Sequence, residues 1–135
     1  MWYDVLFSQL EQNADVQKAA SMAAYMKNQY PFLGIPKPQV KQMIAPYQKA
    51  AAKESFVDWP FVDLCWVKEY REAQYVGIEY IRAMEPKLTP DSLPKLQIMI
   101  IQKPWWDTCD ALHPVIGALS IRFPSIHQQM IHWSQ

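Results

Sequence analysis

Hydrophobic residues recur along the chain at spacings of three and four, the repeat of one face of an α-helix. Alternation with a period of two is nowhere sustained, and the sequence has no Asn-Gly or Asp-Gly turn of the kind that joins β-strands. We therefore predict an all-α protein with eight helices. Their apolar sets are Trp2, Leu6 and Leu10; Ala19, Met22, Ala23 and Met26; Val40, Met43, Ile44 and Tyr47; Phe61, Leu64 and Cys65; Ala73, Val76, Tyr80, Ile81 and Met84; Leu93, Leu96 and Ile100; Leu112, Val115, Ile116 and Leu119; and Ile126, Met130 and Trp133.

Prolines separate many of these sets and predict where helices begin. Asp58 ahead of Trp59-Pro60 is typical of an N-cap, because a proline in the first turn gives up an N–H that has no helical partner anyway. Thr89-Pro90 predicts a second helix start of the same kind. Three further prolines fall inside predicted helices: Pro46, Pro94 and Pro114. A proline in a helix interior removes a hydrogen bond, so the last of them should bend its helix.

The lengths of the connections favour a particular arrangement of these helices. From Asp58 onward short and long connections alternate, which is typical of stacked antiparallel helix pairs forming a curved solenoid of the HEAT type. Residues 1–135 are expected to form a single domain. The final residues, IHQQMIHWSQ, stop within an amphipathic pattern. We therefore expect a truncated solenoid, the N-terminal part of a longer one, whose open end allows self-association.

Positive charge is concentrated in one segment, although the chain as a whole is neutral with 13 basic and 13 acidic residues. The stretch from residue 27 to residue 53 contains no Asp or Glu and five lysines: Lys27, Lys37, Lys41, Lys49 and Lys53. This layout predicts either a local basic surface or simply a solvated lysine face. Four later glutamates weaken a general basic surface: Glu69, Glu72, Glu79 and Glu85.

Candidate metal ligands and membrane segments are both absent from the sequence pattern. Cys65 and Cys109 form no CxxC motif, so we interpret them as small core residues in a reducing compartment. The three histidines lack zinc-site spacing, and we expect no metal and no cofactor. No run of about eighteen apolar residues suggests a membrane span, and the N-terminus does not resemble a signal peptide. We expect a cytoplasmic protein.

The stretch QKPWWDTCDALHP, residues 102–114, combines two tryptophans with two aspartates. On a helix Trp106 and Asp110 share one face, about 5–6 Å apart at Cβ. An aromatic ring stabilises nearby cationic character, and a fixed carboxylate does so more strongly and also orients water. The same pair also suits a purely structural role. Asp107 is expected to be an N-cap, and Trp105 either a core anchor or a second aromatic of a binding surface.

Two segments resemble the DNA alkylation repair family of AlkD-like glycosylases. MAAYMKNQYPFLGIPKPQVKQ, residues 22–42, is similar to that family's opening signature, and KPWWDTCDALHP is similar to its WWDTVD segment. Their order and separation also agree. The resemblance implies HEAT-like helix pairs around a basic groove that holds duplex DNA, and hydrolysis of the glycosidic bond of cationic N3- and N7-alkylpurines.

The resemblance also implies roles for individual residues. Asp110 corresponds to the catalytic carboxylate, Trp106 to the cleft aromatic and Tyr25 to the cleft tyrosine, although an aromatic residue within MAAYM equally suits the core. The remaining candidate DNA-binding residues are Lys27, Lys37, Lys41 and Trp105. The expected partner is duplex DNA containing alkylated bases, with no membrane partner.

The chain departs from the family pattern in two ways. The family has a cleft arginine and a further aromatic residue in helices beyond the position of Gln135, and its groove carries more positive charge than this neutral chain. We therefore expect the isolated chain to be impaired as a glycosylase. The alternative function is a non-catalytic helical scaffold that binds DNA or protein, a common use of repeat folds.

Overall fold

Helices are the only regular secondary structure among residues 2–103 and 106–124, which the computed structural model describes without the side chains of Trp2 and residues 106–108. The α-helices are α1 Trp2–Gln12, α2 Val16–Tyr25, α3 Lys37–Ala51, α4 Trp59–Val67, α5 Arg71–Ala83, α6 Leu93–Gln102 and α7 Trp106–Arg122, and Glu85–Lys87 and Pro90–Ser92 form short 3₁₀ helices. The all-α prediction is confirmed. The eighth apolar set, Ile126 to Trp133, lies outside the described residues.

The helices stack in pairs. Helix α1 packs on α3, α4 on α5 and α6 on α7, while α3, α5 and α7 contact one another in a row. Residues 68–70 join α4 to α5, and so short a connection between packed helices makes them run in opposite directions. The solenoid-like arrangement is thus confirmed. No helix in the described part of the chain is long and apolar enough to cross a membrane.

The predicted apolar faces form the core, except on α2. Leu6, Ile44, Phe61 and Ile81 are fully buried, and α5 lies at the centre with almost all of its side chains inaccessible to solvent. In α2 no residue is buried, so the apolar face predicted there does not enter the core within the helix. Met26, the residue that follows the helix, is the buried member of that set. A helix that keeps its apolar face half-exposed leaves that face available for contacts.

Close packing joins neighbouring pairs around Trp66. Gly77 of α5 lies against the Trp66 ring, and a Cβ at this glycine would be 2.9 Å from ring atom Cζ3. The Trp66 indole N–H donates to the Met99 carbonyl at 2.8 Å, which ties α4 to α6. The small residue therefore lets the large one reach across to the next pair.

The helix starts match the proline pattern in part. The Asp58 carboxylate accepts the Phe61 N–H at 3.2 Å, which confirms the predicted N-cap. Thr89-Pro90 does not open an α-helix directly, because residues 90–92 are a 3₁₀ helix and α6 begins at Leu93. Pro94 therefore lies in the first turn of α6, where the missing N–H costs nothing. Two prolines lie inside helices as predicted: Pro46 in α3 and Pro114 in α7.

Arg122, the last residue of α7, holds the connection between α5 and α6. Its guanidinium donates to the carbonyls of Glu85, Pro86 and Leu88. Its Nε also lies 3.1 Å from a carboxylate oxygen of Glu85. All three carbonyls lie after the end of α5, so one side chain binds the backbone of this connection at three points.

Candidate nucleic-acid interface

The segment after α2 turns sharply through two left-handed residues. Lys27 and Asn28 have φ angles of 59° and 55°. Their N–H groups donate to the carbonyls of Ala24 and Ala23 at 3.0 and 2.7 Å, which closes the end of the helix. Asparagine tolerates this conformation better than most residues. The turn leaves Tyr25, the last residue of α2, 71% exposed.

Residues 31–36 form an extended loop held by one buried carboxylate. The Glu72 side chain accepts the consecutive N–H groups of Leu33, Gly34 and Ile35 at 2.9–3.1 Å. Gly34 has a φ of 101°, and a Cβ there would lie 2.0 Å from the carbonyl oxygen of Asp15. Only glycine fits at this position. The loop therefore fixes the direction in which the chain enters α3 at its first residue, Lys37.

A depression of about 330 Å³ lies between α2, this loop and α5. Its lining is mostly apolar and aromatic: Ser21, Met22, Tyr25, Met26, Phe32, Lys37 and Tyr75. The Lys37 ammonium lies 4.6 Å from the centre of the Tyr75 ring, within the range of a cation–π contact. The depression thus brings Tyr25 and Lys37 to the same surface.

A second, smaller depression of about 80 Å³ begins on the other side of Lys37 and Tyr75. Its lining extends from α3 across α5 to α7: Lys37, Val40, Lys41, Tyr75, Ile78, Glu79, Arg82 and Ala111. The Glu79 carboxylate lies 3.2 Å from Arg82 and 3.9 Å from Lys41. Three basic side chains and one acidic one therefore leave this surface locally positive.

Helix α7 adds the candidate carboxylate at the edge of the same surface. Asp110 is exposed, and the next residue, Ala111, lines the smaller depression. Trp106 is the first residue of the helix, one turn before Asp110. Side chains four apart on a helix are neighbours, but the Trp106 side chain lies outside the described residues, so the shared face stays a prediction. Tyr25, Lys37 and Lys41 thus line the two depressions, and Asp110 directly precedes a residue that lines the smaller one.

Comparison with known protein families gives a match to the sequence of this chain. The family model described as "DNA alkylation repair enzyme" matches residues 6–135, which is nearly the whole chain.

The chain belongs to the DNA alkylation repair enzyme family.

A solved structure supports the same assignment. The chain is similar to a predicted DNA alkylation repair enzyme from Enterococcus faecalis, with a TM-score of 0.75 and 25% sequence identity. The likeness covers 84% of this chain and 54% of that protein, so the chain spans about half of its relative's length. No curated protein gives a significant match. The recognition made from the two sequence segments is confirmed.

Within this DNA alkylation repair fold, the predicted site residues are only partly brought together. Tyr25, Lys37 and Lys41 line the two adjoining depressions. Lys27 lies in the turn beyond Tyr25 and lines neither. Trp105 and the Trp106 side chain lie outside the described residues, so their roles stay predictions.

Two predictions about acidic residues need correction. Glu72 does not reduce the positive charge of the surface by lying on it, because its carboxylate is fully buried against the loop amides. Asp107 does not precede α7 as an N-cap, because the helix already begins at Trp106 and includes Asp107 in its first turn. The aspartate near a helix start is favourable to the helix dipole in either position.

Sequence reasoning missed two residues that the family fold places on this surface. Tyr75 lies between the two depressions, and Arg82 closes the smaller one. Both lie on the face of α5 opposite the predicted apolar set. The signal was available, since Tyr75, Ile78, Glu79 and Arg82 follow a helical spacing of three or four. When a helix with one buried apolar face carries a second set of residues at helical spacing on its opposite face, that pattern predicts contacts with other elements on both faces.

Proposed function

We propose that the protein is a DNA glycosylase that hydrolyses the N-glycosidic bond of cationic N3- or N7-alkylpurines in duplex DNA. The observation that carries the proposal is the exposed Asp110 of α7, beside a depression whose lysines and arginine favour a phosphate backbone. Membership of the DNA alkylation repair family supports a DNA substrate. Since the chain spans only about half of the matched relative's length, the proposal concerns the protein at its full natural length.

In this reaction the leaving base needs no protonation by the enzyme. An alkylated purine carries a positive charge, so when the bond between the sugar C1′ and the purine nitrogen breaks, its electron pair neutralises the base. The sugar becomes cationic and is attacked by water, whose proton is lost to the carboxylate or to solvent. Asp110 would stabilise the positive sugar and orient that water. Trp106 and Tyr25 would add aromatic faces near the developing cation.

DNA binding is assigned to the basic side of the same surface. Lys37 and Lys41 project from the first turns of α3, and both are exposed. Lysine ammonium groups contact phosphates as point charges and release counterions on binding. Lys27 in the turn beyond Tyr25 would extend the contact, as would Trp105, which precedes α7 in the sequence.

The decisive experiment measures release of N7-methylguanine from a duplex by the full-length protein under single-turnover conditions. Asp110→Asn should slow release by about 100- to 1000-fold, the usual cost of removing one electrostatic stabiliser. Asp63→Asn is the matched control, because Asp63 is an exposed aspartate of α4. Unchanged release by Asp110→Asn would show that the carboxylate has been assigned wrongly.

Salt titration separates a DNA-binding protein from a scaffold for protein, and base release then separates the glycosylase from a scaffold for DNA. If Lys37 and Lys41 contact phosphates, replacing both with alanine should reduce the slope of log affinity against log salt by about two. Lys49→Ala, near the other end of α3, should leave it nearly unchanged. A scaffold for DNA would bind in this way without releasing base, and a scaffold for protein would bind DNA weakly at every salt concentration.

A further inference from the structure

Helix α5 begins with two charged residues whose side chains are fully buried. Arg71 and Glu72 both have 0% exposure. Charged side chains of this size are almost never buried completely unless partners satisfy them. The partners of this pair lie in two separate parts of the chain, and these are the parts that carry the family resemblance.

Glu72 holds the first part. Its carboxylate accepts the three loop amides of residues 33–35, and the loop leads directly into Lys37. Charge-assisted hydrogen bonds from consecutive amides fix the direction of a backbone segment. The surface formed by Tyr25 and Lys37 is therefore placed relative to the first turn of α5.

Arg71 contacts both parts, the chain just before the loop and the segment that begins at Lys103. Its backbone N–H donates to the Pro31 carbonyl at 2.9 Å, and its guanidinium lies 3.9 Å from the centre of the Tyr30 ring. The same guanidinium donates through Nη1 to the carbonyl of Lys103 at 3.0 Å. Lys103 caps the end of α6 and comes three residues before Trp106, where α7 begins.

A second hydrogen bond joins Lys103 to the chain just ahead of α5. Its ammonium donates to the Lys68 carbonyl at 2.7 Å, just ahead of α5. Partial burial and the nearby Arg71 lower the pKa of Lys103 below its ordinary value of 10.5, because desolvation and a second cation both disfavour its charged form. The connection into α7 is thus attached to the start of α5 through both its backbone and its side chain.

We propose that Arg71 is a positioning residue for the candidate site: it holds the start of α7, and with it Asp110, at a fixed place relative to Tyr25 and Lys37. Arg71 itself lines neither of the two depressions, and its proposed role is to position other groups and not to contact the substrate. The proposal rests on the proposed function for its catalytic readout, but its structural readout is independent of that function.

The guanidinium suits this role because it combines two contacts that a lysine cannot. Its planar face stacks on the Tyr30 ring while an N–H in the same plane donates to the Lys103 carbonyl. Arg71→Lys keeps the positive charge but loses this geometry. A displacement of about 1 Å at a reacting group can cost about 100-fold in rate, so loss of positioning should appear in the chemical step.

The first test compares Arg71→Lys with wild type in single-turnover release of N7-methylguanine by the full-length protein. The rate constant of release should fall by about 10- to 100-fold, while the duplex concentration at half saturation changes less than about threefold. Ile81→Val is the matched control, because Ile81 is fully buried in the same helix and its truncation only lowers stability. A similar fall in both variants would overturn the proposal.

A double-mutant cycle shows whether Arg71 acts through the carboxylate. If it does, Arg71→Lys should slow release by less than about twofold once Asp110 is already asparagine. If the two effects multiply in full, Arg71 does not act through Asp110 and the proposal is wrong.

Hydrogen exchange provides a readout that needs no activity. Arg71→Lys should speed amide exchange in residues 110–113, the first amides of α7 with partners in the helix, by at least about tenfold, with Ile81→Val leaving these amides near the wild-type rate. Unchanged exchange would rule out a positioning role. Absence of base release by the wild-type protein would instead refute the proposed function, leaving the exchange result to decide the role of Arg71. Should Arg71→Lys not fold, Tyr30→Leu removes the stacking ring and is judged by the same outcomes.

Discussion

The loop at residues 31–36 and the first turns of α7 both belong to segments that make this sequence recognisable, yet their environments are opposite. The loop is constrained by contacts with the interior: Gly34 lies close to the backbone of Asp15, and three amides donate to a buried carboxylate. At α7 the described acidic group, Asp110, points into solvent. The loop is recognisable because only a few residue types allow its backbone conformation. The start of α7 is recognisable because it carries a candidate catalytic side chain. Similarity to a family motif therefore does not by itself mark an active residue.

The largest effect on stability should come from filling the space at Gly34. Gly34→Ala combines a left-handed φ, costing about 1–2 kcal/mol, with a clash against the Asp15 carbonyl. We expect a loss of about 3 kcal/mol or more, measured by urea unfolding. The matched control is Gly117→Ala, where a Cβ in α7 meets nothing within 4 Å and should add up to about 1 kcal/mol. Equal behaviour of the two variants would mean that the loop is not constrained as described.

The next effect concerns the carboxylate that holds the loop. Glu72→Gln removes the charge that three amides share, and hydrogen bonds of this type are worth about 2 kcal/mol in total stability. Glu79→Gln, on the same helix but in a partly exposed ion pair, should cost at most about 1 kcal/mol. Denaturant midpoints measure both. A smaller loss at Glu72 than at Glu79 would contradict the anchoring role.

The two cysteines report on the same contrast between interior and surface. Cys65 is buried, whereas Cys109, between Trp106 and Asp110, is half-buried. Burial raises the pKa of the Cys65 thiol well above its ordinary value of 9.0. A maleimide at pH 8 should therefore label Cys109 at least about 100-fold faster than Cys65. Cys65→Ala and Cys109→Ala assign the two rates, and faster labelling of Cys65 would mean that the core opens before α7.

The raised thiol pKa also gives a direction for alkaline stability. Above pH 9.0 the unfolded chain loses the Cys65 proton, whereas the folded chain keeps it. The folded state then binds more protons, so its stability falls as the pH rises past that value. Cys65→Ala should reduce this dependence in urea titrations between pH 8 and pH 10. An unchanged slope would assign the alkaline loss to other groups.

The smallest effect on stability should be at the residue with the largest expected effect on rate. Asp110→Asn changes an exposed side chain, so the free energy of unfolding should move by no more than about 0.5 kcal/mol. The same urea unfolding measures it. A loss comparable to that of Glu72→Gln would place Asp110 among the structural carboxylates and remove the contrast.

Much of the fold could be predicted from the sequence because helical periodicity is a local property. The described residues of the apolar sets of α1, α3, α5 and α7 lie in the core or pack against it, and Asp58 caps α4 as its position near a proline indicates. The start of α6 was misplaced because a 3₁₀ turn and an α-helix use the same opening residues, Thr89 and Pro90. Helix α2 shows the other limit, since an apolar face predicts burial only if another element covers it.

Less of the candidate site could be predicted, because it depends on contacts between distant residues. Lys37 and Lys41 were found from a local excess of lysine, and Tyr25 and Asp110 from family resemblance. Glu72 was misread as a surface acid, since nothing near it in the sequence reveals three amides contributed from residues 33–35. Tyr75 was missed for the same reason: its position between two depressions depends on α3 and α2 packing against α5.

Arg122 has a consequence for how the molecule comes apart. Its hydrogen bonds to the Glu85, Pro86 and Leu88 carbonyls attach the end of α7 to the connection that precedes α6. Fraying of the last turn of α7 would therefore release backbone belonging to the middle of the stack. The boundary between helix pairs is thus not a natural line of separate unfolding, and the second and third pairs should open as one cooperative unit.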